Sequence, residues 1–233
     1  MASHFLRLAS LLRFAALAAL AFTLQTTHAA QQCSAPDAHG IVRCEVGLST
    51  AEIQRMTAVQ EKSMWCWAAS IAMIFRHYGH EVAQAAIVRT SYGTEANLPA
   101  ATGDVMTRAL SRPWVAADGT RFQASVSASD QLARHFAITN DDVVAELAAE
   151  RPLLVGAMGH AVVLVSLHYE RGADGQLRIV SGTVIDPQAG TGGVRALLRG
   201  ELRPSYIAAI KVDATHPDAL TALASNSEGS SVH

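Results

Sequence analysis

Cys66 is the residue of this chain best placed for covalent chemistry. A thiol attacks a carbonyl carbon only as thiolate, and two features favour that form: the positive end of a helix and a neighbouring imidazolium. The run Met64–Tyr78 (MWCWAASIAMIFRHY) is apolar on nearly every side and stops at Gly79, which predicts a central helix closed by glycine. Ser63 is a good N-cap and sets Cys66 in the first turn. The imidazole must come from elsewhere. His160 follows Gly159 at a turn and opens the apolar run Ala161–Tyr169, so a strand behind it would hold its ring against the helix end. His135 and His168, in the same half, are expected at the surface.

A Cys–His pair needs a third group to orient the ring. Asp186 ends the run Gln176–Ile185 and precedes Pro187. An antiparallel return through the turn Arg171–Gly175, centred near Ala173, sets residue 160 opposite roughly 186. Gln60 lies six residues before Cys66 and could donate an amide N–H forward. With the Cys66 backbone N–H it would form an oxyanion hole. Each residue also has a plain structural reading: a buried thiol is often inert, a lone histidine often structural, and Asp-Pro a common strand-end turn. Their joint occurrence in this order favours chemistry. Trp65 and Trp67 are expected to pack beside the nucleophile. His77 and His80 have a metal-binding spacing but lack carboxylate or thiol partners in the pattern, so no metal is expected.

Gln60, five residues, Cys66-Trp67-Ala68-Ala69-Ser70, and much later Gly159-His160-Ala161-Val162 together resemble the papain-like cysteine peptidases. The resemblance implies an α+β fold, with a helical lobe carrying the nucleophile helix packed on an antiparallel β-sheet lobe carrying His160. It further implies Cys66 as nucleophile, His160 as general base and acid, Gln60 as oxyanion donor, and no cofactor. Three departures stand out. Asp186 takes the place of the asparagine of papain itself, as in the bacterial branch that includes bacteriocin-leader peptidases and some exported effectors. Ser63 stands where plant and lysosomal enzymes usually carry a disulfide cysteine, and Met64-Trp65 replaces their small residues. Residues 31–50 are too short for the long inhibitory pro-segment of those enzymes. Substrate preference and activation therefore do not carry over.

The elements that must position these residues fall into two halves. Residues 81–90 predict a second helix, and Asn140 and Asp141 cap a third that runs to Glu150 before Pro152. Between Ser91 and Asp130 neither helix nor strand signals are strong. Leu153–Ala157, Ala161–Tyr169, Gln176–Ile185 and Tyr206–Val212 read as strands, with a turn at Gly190–Gly193. Residues 51–212 form the peptidase-like domain, and 213–233 a polar tail expected to be disordered.

Composition bounds the rest. The chain has 233 residues, 50% hydrophobic and 16% charged, enough for a sizeable core and too apolar for a disordered protein. A net charge of −2 without a basic stripe excludes general nucleic-acid binding. Residues 1–30 carry Arg7 and Arg13, the apolar run Phe14–Leu24 and small residues at Ala29 and Ala30, which is the pattern of a secretory signal peptide. Its removal predicts a secreted or periplasmic protein, free of the membrane. In that oxidising setting Cys33 and Cys44, within the N-terminal extension 31–50, are expected to form a local disulfide contributing about 2–3 kcal/mol. The expected partner is a peptide or protein substrate. The same thiol chemistry also serves peptidoglycan amidases, glutamine deamidases and transglutaminases, and a silent relative could bind peptides without cutting them.

Overall fold

The computed structural model describes residues 31–214. The predicted signal peptide and residues 215–233 of the predicted tail lie outside them. Five helices and ten strands follow one another as β1 (Gln32–Cys33), β2 (Val42–Gly47), α1 (Thr50–Met56), α2 (Cys66–His77), α3 (Gln84–Tyr92), α4 (Gly103–Leu110), β3 (Pro113–Val115), β4 (Arg121–Asp130), β5 (His135–Phe136), α5 (Asn140–Ala148), β6 (Leu153–Ala157), β7 (His160–Arg171), β8 (Leu177–Asp186), β9 (Gly193–Ala196) and β10 (Tyr206–Ala214). All the pairings are antiparallel, and the sheet runs β1-β2-β7-β6-β10-β4-β3, with β8 and β9 continuing beside β7 and β5 beside β4. The α+β architecture expected from the sequence is the one observed.

β7 is the spine. Residues 161–165 of it are all buried, and because alternate strand residues face opposite ways, the sheet is covered on both sides here. α2 and α5 are packed against β7. Ala68 and Ala69 keep the buried surface of α2 flat, and buried Ser70 donates from its hydroxyl to the Ala161 carbonyl (3.2 Å). That bond fixes the helix along the strand. Farther on, Phe75 packs on Trp114 and Phe122 with centroids 5.5 and 5.1 Å apart, which ties β3 and β4 to the same helix.

Several local expectations are corrected. α2 begins at Cys66 rather than Met64, with Trp65 at the N-cap and no side-chain cap; Ser63 instead accepts from Asn97. α5 is capped by Thr139, one residue before Asn140, in a reciprocal capping box with Asp142. The stretch 91–130, without strong signals, holds α4, β3 and β4. Residues 31–50 do more than precede the domain, since β2 pairs with β7 from Val42 to Gly47. The expected disulfide joins Cys33 to Cys44, directly opposite each other on β1 and β2. The last strand extends through Ala214.

Candidate active site

Cys66 is the first residue of α2 and only 9% exposed. Burial pushes its thiol up, but a hydrogen bond to His160, backbone N–H groups of Ala161 and Trp67, and the His160 charge together bring it below its ordinary value. His160 is the first residue of β7, reached through the two-residue turn Met158-Gly159, in which both residues have positive φ (52° and 76°). Such a turn matches the twist of the hairpin it closes, and glycine takes its second position without strain. The last pair of that hairpin, Ala157 with His160, leaves the imidazole at the strand end beside Cys66. Nε2 of the ring bonds Asp186 Oδ1 at 2.7 Å. The Cys66 hydrogen bond is the first cause of a His160 pKa raised to about 9, partly opposed by burial and reinforced by Asp186. Both shifts, the thiol down and the ring up, favour a thiolate–imidazolium pair.

Asp186 arrives as the last residue of β8. The register pairs Val163 with Ile185, two residues from the spacing counted on the sequence, because the turn is centred nearer 174. Two bulges, one on each strand, cancel each other along the way. The carboxylate is 7% exposed and fully engaged: Oδ1 also accepts from the Gln188 N–H (2.9 Å), and Oδ2 from Arg195 Nε (2.8 Å). Arg195, on β9, turns its other two nitrogens to both oxygens of Glu201 at 2.9 and 2.7 Å. Burial pushes Asp186 and Glu201 up, yet these partners hold both carboxyls below their usual values. A line of alternating charges thus runs from His160 through Asp186 and Arg195 to Glu201. Neither Arg195 nor Glu201 carries a sequence signal: one lies in a four-residue strand and the other in a turn.

This line has a measurable consequence. Arg195→Met is expected to cost about 3 kcal/mol, because it strands two buried carboxylates. It should move the alkaline limb of activity to higher pH, since a cation behind the His160 partner is gone. Glu201→Gln should move that limb the other way. Identical pH profiles for the two variants would show that the network only supports the fold.

Gln60 sits in the loop before α2, and its backbone N–H donates to the Pro187 carbonyl (2.8 Å), tying it to the Asp186 strand end. Its amide Nε2 donates to the carbonyls of Lys62 (3.1 Å) and Ser63 (2.9 Å), while Oε1 is buried without a protein partner among the described residues. The amide is thus close to the Cys–His pair but turned toward its own loop. The tryptophans do more than pack: Trp65 Nε1 and Trp67 Nε1 donate to the carbonyls of Ala96 and Leu98, at 3.0 and 3.2 Å. These bonds lash residues 94–102 across the start of α2. His77 bonds Glu52, His80 stacks on Phe122, and His135 and His168 are exposed.

Residues 99–102 of the lashed segment line a cleft of about 190 Å³ together with Cys66, His160, Gly156, Ala157, Asp130 and Tyr206. A buried thiolate, a proton donor beside it and a cleft open to a ligand can add sulfur to a carbonyl and protonate the leaving group.

Comparison with known proteins gives the following. The model of a family described as the Peptidase_C39 like family matches residues 52–211. No curated protein matches. Among solved structures, one similar chain is the peptidase domain of Streptococcus ComA, a bi-functional ABC transporter involved in quorum sensing: 16% identity, TM-score 0.39, covering 68% of this chain and 98% of that one. Another is a double glycine motif protease from an AMS/PCAT transporter, in complex with the leader peptide: 18% identity, TM-score 0.37, covering 66% of this chain and 89% of that one.

Proposed function

The chain belongs to the Peptidase C39-like family and is a papain-like cysteine peptidase, and on that premise we propose that it is exported and cuts peptide bonds through a thioester on Cys66. The observation that carries the site assignment is the meeting of a helix start with two strand ends: Cys66 and His160 line one cleft, and the His160 ring bonds Asp186 at 2.7 Å. The Cys66 thiolate attacks the carbonyl carbon of the scissile bond. The oxyanion is met by the Cys66 backbone N–H at the start of α2. Gln60 contributes once one amide hydrogen turns from the Lys62 or Ser63 carbonyl to the substrate. His160 gives its proton to the leaving amine, the thioester forms, and water activated by the now neutral imidazole hydrolyses it. Asp186 keeps the ring oriented throughout. The disulfide between Cys33 and Cys44 supports export, because such bonds persist in oxidising compartments.

The experiment is mass spectrometry of a mixed peptide and muropeptide library incubated with the protein, with Cys66→Ala alongside. Backbone cuts that require Cys66 are the expected result. Mass changes confined to glutamine side chains, or cuts confined to muropeptides, would reassign the thiol to a deamidase or amidase. Gln60→Ala is expected to reduce kcat by about 10²-fold with little change in KM, as loss of one oxyanion donor does. An unchanged kcat would leave the amide with the loop-holding role its present bonds describe.

A further inference from the structure

Asp130 ends β4 and lies in the cleft wall, 8% exposed. One carboxylate oxygen is spent on its own turn: Oδ1 accepts from the N–H groups of Leu132 (2.9 Å) and Ala133 (3.1 Å). Oδ2 has no hydrogen-bond or ion-pair partner among the described residues. It lies over Gly103, where a Cβ would stand 2.2 Å from it, so the absence of a side chain there makes room for the carboxylate. Oδ2 is not sealed off, since among the described residues the enclosed side-chain atom without a partner is Gln60 Oε1, so a donor entering the cleft can reach it.

Charge bookkeeping along the cleft sharpens the point. The thiolate of Cys66 and the imidazolium of His160 cancel. On the other side of His160, Glu61 and Lys62 line the neighbouring surface hollow with opposite signs. Of the other residues around the cleft, Trp67, Met106, Leu132 and Tyr206 are bulky and the rest are small or neutral. Asp130 is the one uncompensated charge. The cleft volume is below that of sites for drug-sized ligands and suits a single side chain.

We propose that Asp130 makes this cleft a subsite for a basic side chain, so that the peptidase prefers substrates with lysine or arginine next to or near the scissile bond. The proposal rests on the Cys66 reading of the site and adds the substrate class. The ammonium or guanidinium donates to Oδ2, and its aliphatic stem lies along Trp67 and Met106.

The test uses one peptide library in two forms, with free lysines and with lysines acetylated, which keeps chain length and removes charge. Wild-type protein, Asp130→Asn and Cys66→Ala are compared. Asparagine retains an oxygen for the Leu132 and Ala133 N–H groups, so the turn is preserved. For the wild type, cuts within two residues of lysine or arginine are expected to exceed those at neutral sequences by about tenfold, the discrimination of one charged hydrogen bond. Acetylation should erase that preference for lysine, and Asp130→Asn should erase it for both residues while leaving cuts at neutral sequences within about twofold. Equal cutting of the free and acetylated libraries by the wild type would overturn the proposal, a result that needs no variant to fold. So would a basic preference retained by Asp130→Asn. Absence of any Cys66-dependent cut would remove the reading it rests on, and the proposal with it.

Discussion

Cys66→Ala is expected to lower kcat by about 10⁴-fold or more, the usual consequence of deleting a covalent nucleophile, while Tm moves by only a few degrees. The thiol sits at the start of α2, with Ala68, Ala69 and Ser70 behind it carrying the packing, so losing one sulfur leaves little empty space. The more informative effect is electrostatic. The first cause of the raised His160 pKa is its bond to the Cys66 sulfur. In the alanine variant that support disappears, burial still favours the neutral ring, and only Asp186 remains to hold the proton. The His160 pKa should therefore fall from about 9 toward the ordinary imidazole value of 6.5, which an NMR titration of its ring protons reads directly. A ring that still titrates near 9 without the thiol would mean that Asp186 alone sets its charge. The assignment of the raised value to the Cys66 sulfur would then have to be given up, whatever the kinetic loss.

The residues of this site differ in how far sequence reasoning could find them. Cys66 and His160 announce themselves through strictly local features, a glycine-closed apolar helix and a Gly-His turn before an apolar strand, and both features survive in the fold. Asp186 follows from a count along a hairpin. The count lands near the right place although the turn centre is displaced, because the two bulges offset each other and a carboxylate reaches past its own pair. Nothing comparable leads to Arg195, whose role exists only once β9 folds back on β8 and pairs it with Val184. β4 is not legible for a different reason: its buried positions are held largely by Ala124, Ala128 and Ser129, so the alternation that marks a strand is written in small residues. Asp130, at the end of that strand, is hidden with it. Ser63 misled because a cap is defined by where the backbone turns, and the bonds from Trp65 and Met64 to the 94–102 segment delay that turn until Cys66.

His160→Ala carries the second large expectation, a loss of about 10⁴-fold in kcat, and its sign can be checked without any substrate. In the wild type, burial opposes the Cys66 thiolate, and the hydrogen bond and charge of His160 are what overcome it. Without the ring, desolvation prevails over the remaining backbone N–H groups, and the thiol pKa should rise above the ordinary value instead of lying below it. Alkylation by iodoacetamide at pH 6.5 should accordingly be faster in the wild type than in the variant, with the inflection of the variant at higher pH. On the proposed mechanism, the wild-type activity profile is expected to have two limbs with separate owners. On the acid side activity is lost as Cys66 takes up a proton, below the usual thiol range; on the alkaline side it is lost near 9, as His160 gives up the proton the leaving group needs. Asp186→Asn is expected to lose less than Asp186→Ala, by about tenfold, because an amide oxygen can still accept from a ring that carries hydrogen on both nitrogens. Alanine would leave Arg195 facing an empty space and the ring free to turn. Alkylation that is as fast at pH 6.5 in His160→Ala as in the wild type would place the source of thiolate in the helix start alone, and the pairing argument for His160 would have to be abandoned.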